Sequence, residues 1–141
     1  MVFVGNIKDA SYFVKNCDEV WAIVRSLKIK PYGVKQVPEL SPSWALFKKY
    51  LSLRDNNNWN DKSFMEIYVP QFLREMKNPV AQEKFKELIE KGKNGKIAIL
   101  CFCDDEATCH RSIIAAMLQK EGLKVFTQRS EDYVSKYEIG E

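Results

Sequence analysis

The sequence feature that most constrains the fold of this chain is an unbroken apolar run at residues 97–102, followed by a polar loop and a run of good helix formers. The apolar run is too short for a typical helix and is rich in β-branched and aromatic residues, which is typical of a strand buried on both faces. Asp104 and Asp105 end this strand, and Thr108 is a good N-cap for the helix that follows. The pattern therefore predicts a strand, a short loop and a helix over residues 96–118.

This connection carries most of the reactive side chains of the protein. Three of the four cysteines, the only histidine and an arginine fall within it: Cys101, Cys103, Cys109, His110 and Arg111. In open parallel sheets, ligands bind at the carboxyl ends of the strands and at the helix N-termini that follow them. We therefore expect the functional site at this edge of the sheet.

Apolar runs alternate with helical patterns through most of the remaining chain. Strands are predicted at residues 1–4, 20–24, 97–102 and 123–127, together with about five helices, and residues 27–40 are predicted to form an irregular loop. This alternation predicts an α/β fold, with a small, open, mostly parallel sheet between two layers of helices, three layers in all. Residues 41–76 contain two helical patterns without a strand between them, which predicts a helical insertion. Pro70 is expected to kink or break the second helix near residues 66–69.

The length of 141 residues favours a single domain over residues 1–141. The net charge of +3 permits contact with nucleic acid or phosphorylated ligands without requiring it, because charges of both signs are interspersed. No apolar stretch approaches the ~20 residues of a membrane span, and no secretory-signal pattern is present. We therefore expect a cytoplasmic protein with reduced cysteines and no membrane contact. The sequence leaves its oligomeric state open.

Cys109 is the candidate nucleophile. At a helix start, the helix dipole and free backbone N–H groups favour the thiolate form of a cysteine, so we expect Cys109 to be the most acidic of the thiols. His110 beside it could act as a base or add positive charge, which makes both residues candidates for catalysis. The alternative is that Cys109 is a small buried residue and that His110 packs in the core.

Candidate substrate-binding residues follow the predicted strands. Arg25 and Arg111 each come after a buried strand and could hold a phosphate or carboxylate in bidentate fashion. If the strands are parallel, both arginines follow the same edge of the sheet. Three further residues at these strand ends are candidates for the same site: Gly5, Asn6 and Cys103.

Four potential metal ligands lie within ten positions: Cys101, Cys103, Cys109 and His110. Zinc favours four such groups. However, their spacing differs from the common zinc motifs, and the adjacent Cys109 and His110 would point in different directions on a helix. We therefore expect no metal and no cofactor, with the strand cysteines packed as small residues. A metal site remains the alternative.

The aromatic residues divide into two groups by their spacing. One group recurs at intervals typical of buried faces and is predicted to belong to the core: Trp21, Trp44, Phe47, Phe64 and Tyr68. Trp59 is flanked by asparagines and is predicted to be exposed. It is therefore the aromatic residue that we consider for base stacking.

Residues 100–112, Leu-Cys-Phe-Cys-Asp-Asp-Glu-Ala-Thr-Cys-His-Arg-Ser, resemble the C-terminal signature of the bacterial family called domain of unknown function 488 (DUF488). Residues 20–25, 40–50 and 59–68 resemble its second strand, its Ser-Pro-Ser helix start and its helix with Trp, Phe and Tyr. The family often has Ile-Gly-His after its first strand, where this chain has Val4-Gly5-Asn6. The resemblance implies a compact bacterial α/β domain and specifies no reaction.

Three functions fit these residues. The first is an enzyme that acts on an anionic substrate, such as a phosphate-bearing molecule, a nucleotide or a nucleic acid, through Cys109 and His110. The second is a non-catalytic module that binds a nucleotide or nucleic acid through Arg25 and Arg111. The third is a metal-stabilised or purely interacting protein. The sequence does not decide whether the protein is an enzyme.

Overall fold

A parallel sheet forms the centre of the protein. In the computed structural model, which describes residues 1–128 and 133–137, the strands are β1 (Val2–Asn6), β2 (Glu19–Ala22), β3 (Lys35–Gln36), β4 (Ile97–Cys101) and β5 (Val125–Phe126). Their order is β3-β2-β4-β1-β5, and every pairing is parallel. The predicted α/β fold is therefore confirmed. The sheet has one strand more than the sequence predicted, because the two-residue β3 lies in the expected irregular loop.

Strand β4 is the middle strand of the sheet, and all five of its residues are buried. A strand covered on both faces can bury only apolar side chains without cost, which is why residues 97–102 read as a continuous apolar run. Its register places Cys101 beside Asn6 of β1 and Leu100 beside Ala22 of β2. The three strands therefore end at nearly the same level.

Helices cover both faces of this sheet. They are α1 (Ala10–Asn16), α2 (Trp44–Asp55), α3 (Asp61–Ser63), α4 (Val69–Glu75), α5 (Pro79–Asn94), α6 (His110–Lys120) and α7 (Tyr133–Tyr137). Within residues 1–128 and 133–137, none of these helices combines the length and apolar character needed to cross a bilayer.

The side chains of β2 and β4 alternate between two hydrophobic clusters. Trp21, Ile97 and Ile99 belong to the cluster that includes residues of α4, α5 and α6. Val20 and Ala98 belong to the other, to which α1 contributes. This arrangement gives the three layers that the sequence predicted.

The kink or break predicted before Pro70 takes the form of a π-helical turn. Residues Phe64–Tyr68 form this turn between α3 and α4, and the backbone N–H of Val69 donates to the carbonyl of Phe64, five residues earlier. Proline has no N–H to donate, so the wider turn accommodates it within one continuous helix. The rings of Phe64 and Tyr68 stack with centroids 5.3 Å apart.

The start of α6 differs from the prediction by one residue. Residues Glu106–Thr108 form a 3-10 turn, and the N-cap of α6 is Cys109 rather than Thr108. Cys109 has an extended backbone, with φ −123° and ψ 148°, and its side chain makes no capping hydrogen bond. The backbone therefore changes from extended to helical between Cys109 and His110.

Leu88→Ala is expected to lower the free energy of unfolding by about 2–5 kcal/mol, because it removes a fully buried side chain of α5 and leaves a cavity. Val80→Ala in the same helix is the matched control, since Val80 is 62% exposed, and its effect should stay within about 0.5 kcal/mol. Chemical denaturation followed by circular dichroism measures both values. Equal effects of the two substitutions would show that α5 does not pack on the sheet through Leu88.

Candidate functional site

A cavity of about 400 Å³ opens at the carboxyl edge of the sheet. Residues that follow β2 and β4 line one side of it, and residues of α2 line the other. The sequence placed the site at this edge. Four of the predicted site residues line the cavity: Arg25, Cys103, Cys109 and His110.

Three cysteines form a compact group on the floor of this cavity, which we call the thiol cluster: Cys101, Cys103 and Cys109. Their sulfur atoms all lie within 4.8 Å of one another. Cys101 is the last residue of β4, and Cys103 follows two positions later. Cys109 joins them because its extended backbone directs it away from the helical path. Cys101 and Cys109 are buried, whereas Cys103 is partly exposed.

His110 lies against the thiol cluster in a fixed orientation. Its Nε2 is 2.6 Å from the backbone carbonyl of Ile23, an acceptor, so Nε2 carries the proton of the neutral ring. Nδ1 is then the unprotonated nitrogen. It lies 3.9 Å from the sulfur of Cys101 and 3.7 Å from that of Cys109. The ring is buried beside Phe72, with centroids 5.6 Å apart.

Hydrogen bonding within the thiol cluster favours ionisation at Cys101. Hydrogen bonds from the Cys103 and Cys109 thiols lower the pKa of the Cys101 thiol well below its usual range, against the opposing effect of burial. The hydrogen bond with Cys101 raises the pKa of Cys103 to about 12. Burial raises the pKa of Cys109, as do the two neighbouring thiols. The prediction that Cys109 is the most acidic thiol is therefore wrong, because burial outweighs its position at the helix start.

Arg111 lies behind the thiol cluster rather than in the cavity. Its side chain is fully buried, and its Nη1 donates to the backbone carbonyl of Cys101 at 3.2 Å. Its Nε and Nη2 have no hydrogen-bond partner among the described residues. Its placement therefore does not suit the direct ligand contact that the sequence suggested.

Arg25 is the predicted arginine that does line the cavity. Its Nε donates to the carbonyl of Pro42 at 2.8 Å, and its Nη2 donates to that of Pro38 at 3.4 Å. Because β2 and β4 are parallel neighbours, Arg25 and Arg111 follow the same edge of the sheet, as predicted. They do not form a shared clamp, since only Arg25 reaches the cavity.

Gly5 and Asn6 support the site without lining the cavity. Asn6 is buried, and its side-chain amide donates to the carbonyls of Phe102 at 3.3 Å and Cys103 at 3.0 Å. Gly5 lies in β1, where an added Cβ would come within 2.5 Å of the Phe13 ring. Asn6 therefore fixes the loop that carries Cys103, and Gly5 allows α1 to approach the sheet closely.

Five aromatic side chains line the cavity opposite β4, and we call them the aromatic wall: Trp44, Phe47, Tyr50, Trp59 and Tyr68. Trp44 is 51% exposed and Phe47 is 37% exposed, so the prediction that both belong to the core is wrong. Trp59 is only partly exposed, against the prediction, because its ring packs edge-on against those of Tyr50 and Tyr68, with centroids 4.6 and 5.6 Å away. The predicted core positions of Trp21, Phe64 and Tyr68 are confirmed.

Two tyrosine side chains of α7 donate hydrogen bonds to the 3-10 turn at Glu106–Thr108. The hydroxyl of Tyr133 donates to the buried carboxylate of Glu106 at 2.6 Å, and that of Tyr137 donates to the carbonyl of Ala107 at 3.0 Å. The Tyr137 hydroxyl also lies 2.6 Å from Oγ of Ser112 in α6. These contacts fix the turn that leads into Cys109. Arg129, which follows the last predicted strand, lies outside the described residues.

In a comparison with protein families, residues 11–122 match the family model described as "DUF488-N3a: Active DUF488-N3 subclade". The protein belongs to this family. The resemblance to DUF488 noted in the sequence is therefore confirmed. The matched segment contains every residue that lines the cavity, from Val24 to His110. Comparisons with curated proteins and with solved structures gave no match.

Sequence reasoning missed three cavity residues of α2 in this DUF488-N3a protein: Tyr50, Leu51 and Arg54. One signal was present on α2. Arg54 follows Tyr50 and Leu51 at spacings of four and three, so the apolar stripe of this helix ends in a charged residue. A stripe that faced only the core would not include an arginine, which indicates that this side of α2 borders solvent or a ligand.

Asn6→Ala is expected to lower the free energy of unfolding by about 1–3 kcal/mol, because the carbonyls of Phe102 and Cys103 lose their hydrogen-bond donor in a part-buried setting. Asn94→Ala is the matched control, since its amide also donates to a backbone carbonyl but is exposed. Its effect should stay within about 0.5 kcal/mol. If urea unfolding gives the same stability for Asn6→Ala as for the wild type, Asn6 does not fix this loop.

Proposed function

We propose that this protein is an enzyme whose substrate has both a planar ring and an anionic group, such as a nucleotide or an unpaired base of a nucleic acid. The observation that carries the proposal is the composition of one cavity, in which exposed aromatic rings face a group of reactive side chains. The ring of the substrate would pack on the aromatic wall. The reacting atoms would then meet the thiol cluster and His110 on the floor.

The aromatic wall supports a planar ligand. Trp44 and Phe47 leave large apolar surfaces exposed, and their rings lie edge to face with centroids 6.0 Å apart. Single exposed apolar side chains are common, but neighbouring exposed rings that line a cavity are typical of a binding surface. Stacking of a base on an aromatic side chain contributes about 1–3 kcal/mol and tolerates different bases.

Two arginines beside the aromatic wall support an anionic ligand. The carbonyls of Pro42 and Pro38 hold the guanidinium of Arg25 in place, so little side-chain entropy is lost when it binds. The guanidinium of Arg54 lies over the ring of Tyr50, 5.7 Å from its centroid. Asp104 is the acidic residue on the cavity lining. The cationic side chains thus outnumber the carboxylate, which favours phosphate or carboxylate binding.

A second function, binding without turnover, is supported by the burial of the reactive groups. Cys109 is only 2% exposed and His110 only 4% exposed, so a ligand in the cavity would contact little of either side chain. A non-catalytic nucleotide or nucleic-acid module would use the same aromatic wall and arginines. Turnover therefore has to be measured separately from affinity.

Trp44→Ala is expected to weaken the binding of adenosine monophosphate about 5- to 150-fold, the range that corresponds to the loss of one stacked base. Arg54→Gln should weaken the binding of adenosine monophosphate but not of adenosine, because only the nucleotide carries the phosphate. Tyr32→Ala is the control, since Tyr32 is 95% exposed and lies outside the cavity. Isothermal titration calorimetry measures each affinity.

The four 5′-mononucleotides and a short single-stranded DNA form the probe panel for both binding and turnover. Mass spectrometry of the products after incubation would detect a reaction. Cys101→Ser should abolish it, because hydrogen bonding in the thiol cluster favours ionisation at Cys101, and Cys17→Ser, outside the cluster, should leave it intact. Affinity without any product would favour the binding module. If no member of the panel binds, or if Trp44→Ala and Arg54→Gln bind as the wild type does, the proposed ligand class is wrong.

A further inference from the structure

We propose that the thiol cluster and His110 form a binding site for one zinc ion. The four ligands would be the sulfur atoms of Cys101, Cys103 and Cys109 and the Nδ1 of His110. The sequence indicated no metal, and the arrangement of these side chains in the fold reverses that expectation. We propose zinc rather than another metal because three thiolates and one imidazole are a donor set typical of structural zinc sites.

The distances between the three sulfur atoms, and those from Nδ1 of His110 to the sulfur atoms of Cys101 and Cys109, are within about 1 Å of the distances in a tetrahedral zinc site. Zn–S bonds of ~2.3 Å and Zn–N bonds of ~2.0–2.1 Å place sulfur atoms about 3.8 Å apart and a nitrogen about 3.6 Å from each sulfur. Here the sulfur atoms lie within 4.8 Å of one another. The Nδ1 of His110 is 3.9 and 3.7 Å from two of them. A contraction of about 1 Å or less at each sulfur pair closes the site around the ion.

His110 is held in the tautomer that a metal requires. Its Nε2–H donates to the carbonyl of Ile23, which leaves the lone pair of Nδ1 directed at the sulfur atoms. A histidine that ligates a metal usually donates its other ring N–H to a carbonyl or a carboxylate in this way. The orientation of the ring is therefore fixed before any metal binds.

The fold removes both objections that the sequence raised. Cys109 and His110 are adjacent, but Cys109 is the extended N-cap of α6 rather than a residue of its first turn, so both side chains reach the same point. The same turn brings the sulfur atom of Cys109 to those of Cys101 and Cys103, so all three form one group despite their spacing in the sequence. The spacing of the four ligands in the sequence differs from common zinc motifs because of this turn, and it is compatible with a tetrahedral site.

The buried charge near the site also fits a bound metal. Three thiolates and Zn²⁺ carry a net charge of −1, which the guanidinium of Arg111 would balance. Arg111 donates to the carbonyl of Cys101, and its Nε and Nη2 have no hydrogen-bond partner among the described residues. A buried cation without a counter-charge is costly. An anionic metal centre beside Arg111 would therefore stabilise both groups.

The test is a metal titration of the full chain without any nucleotide, so that its outcome does not depend on the proposed substrate. The protein is stripped with a chelator under reducing conditions and titrated with Co²⁺, whose absorption reports its ligands. One equivalent should give a thiolate-to-cobalt charge-transfer band with the intense d–d bands of a tetrahedral site. One equivalent of Zn²⁺ should then displace the cobalt and protect three of the four thiols from a disulfide reagent.

Two serine variants locate the site. Cys17→Ser should bind Co²⁺ as the wild type does, because Cys17 lies outside the thiol cluster. Cys103→Ser should weaken Co²⁺ binding at least about tenfold, as losses at metal sites generally do. It replaces the partly exposed ligand and is the substitution least damaging to packing. Circular dichroism checks that each variant is folded.

Absence of the charge-transfer band in the wild type, or wild-type cobalt affinity in folded Cys103→Ser, would overturn the proposal. If Cys103→Ser does not fold, the metal titration of the wild-type protein is the test of the proposed site. Zinc must then protect all the thiols except that of Cys17, and any other pattern of protection excludes this site. Failure of the metal titration leaves nucleotide binding to the aromatic wall unaffected, so the two proposals can be told apart. A zinc ion held by all four ligands would leave none of these side chains free as a nucleophile, so metal binding without turnover of the nucleotide panel would favour the binding module.

Discussion

The parallel pairing of β4 with β1 and β2 is the constraint on which the site depends. This register brings the ends of three strands to one level, with Asn6 beside Cys101 and Ala22 beside Leu100. Each neighbouring strand then supplies a backbone or amide group that the site needs. Asn6 holds the loop after β4, and the carbonyl of Ile23 orients the ring of His110. Contacts with the strand ends therefore position the connection that carries Cys103, Cys109 and His110.

Local patterns in the sequence predicted the parts of the fold that depend on local chemistry. The apolar run at residues 97–102 predicted β4, since a strand covered on both faces must be apolar throughout. Pro70 predicted a kink or a break in its helix, because proline cannot donate the backbone hydrogen bond, and a π-helical turn is found there. The grouping of Cys103, Cys109 and His110 at one edge followed from the rule that ligands bind at the carboxyl ends of parallel strands.

The remaining features depend on contacts between distant segments, which periodicity does not report. The stripe on α2 showed that Trp44 and Phe47 share a face, but only the packing of α2 over the strand ends shows that this face borders a cavity. Similarly, the sequence placed Cys109 near a helix start without giving its backbone conformation. In the first turn of the helix, the side chains of Cys109 and His110 would point in different directions. Because Cys109 is instead the N-cap, one residue earlier, the two side chains point to the same place.

The contacts of α7 have a consequence for how the boundaries of this family are understood. The hydroxyl groups of Tyr133 and Tyr137 complete the turn before Cys109, yet both lie beyond residue 122, where the family match ends. At the other end, β1 precedes residue 11 but is an inner strand of the sheet. A fragment cut to the family boundaries would lose both supports. The segment that matches the family model is thus shorter than the segment that completes the sheet and the turn before Cys109.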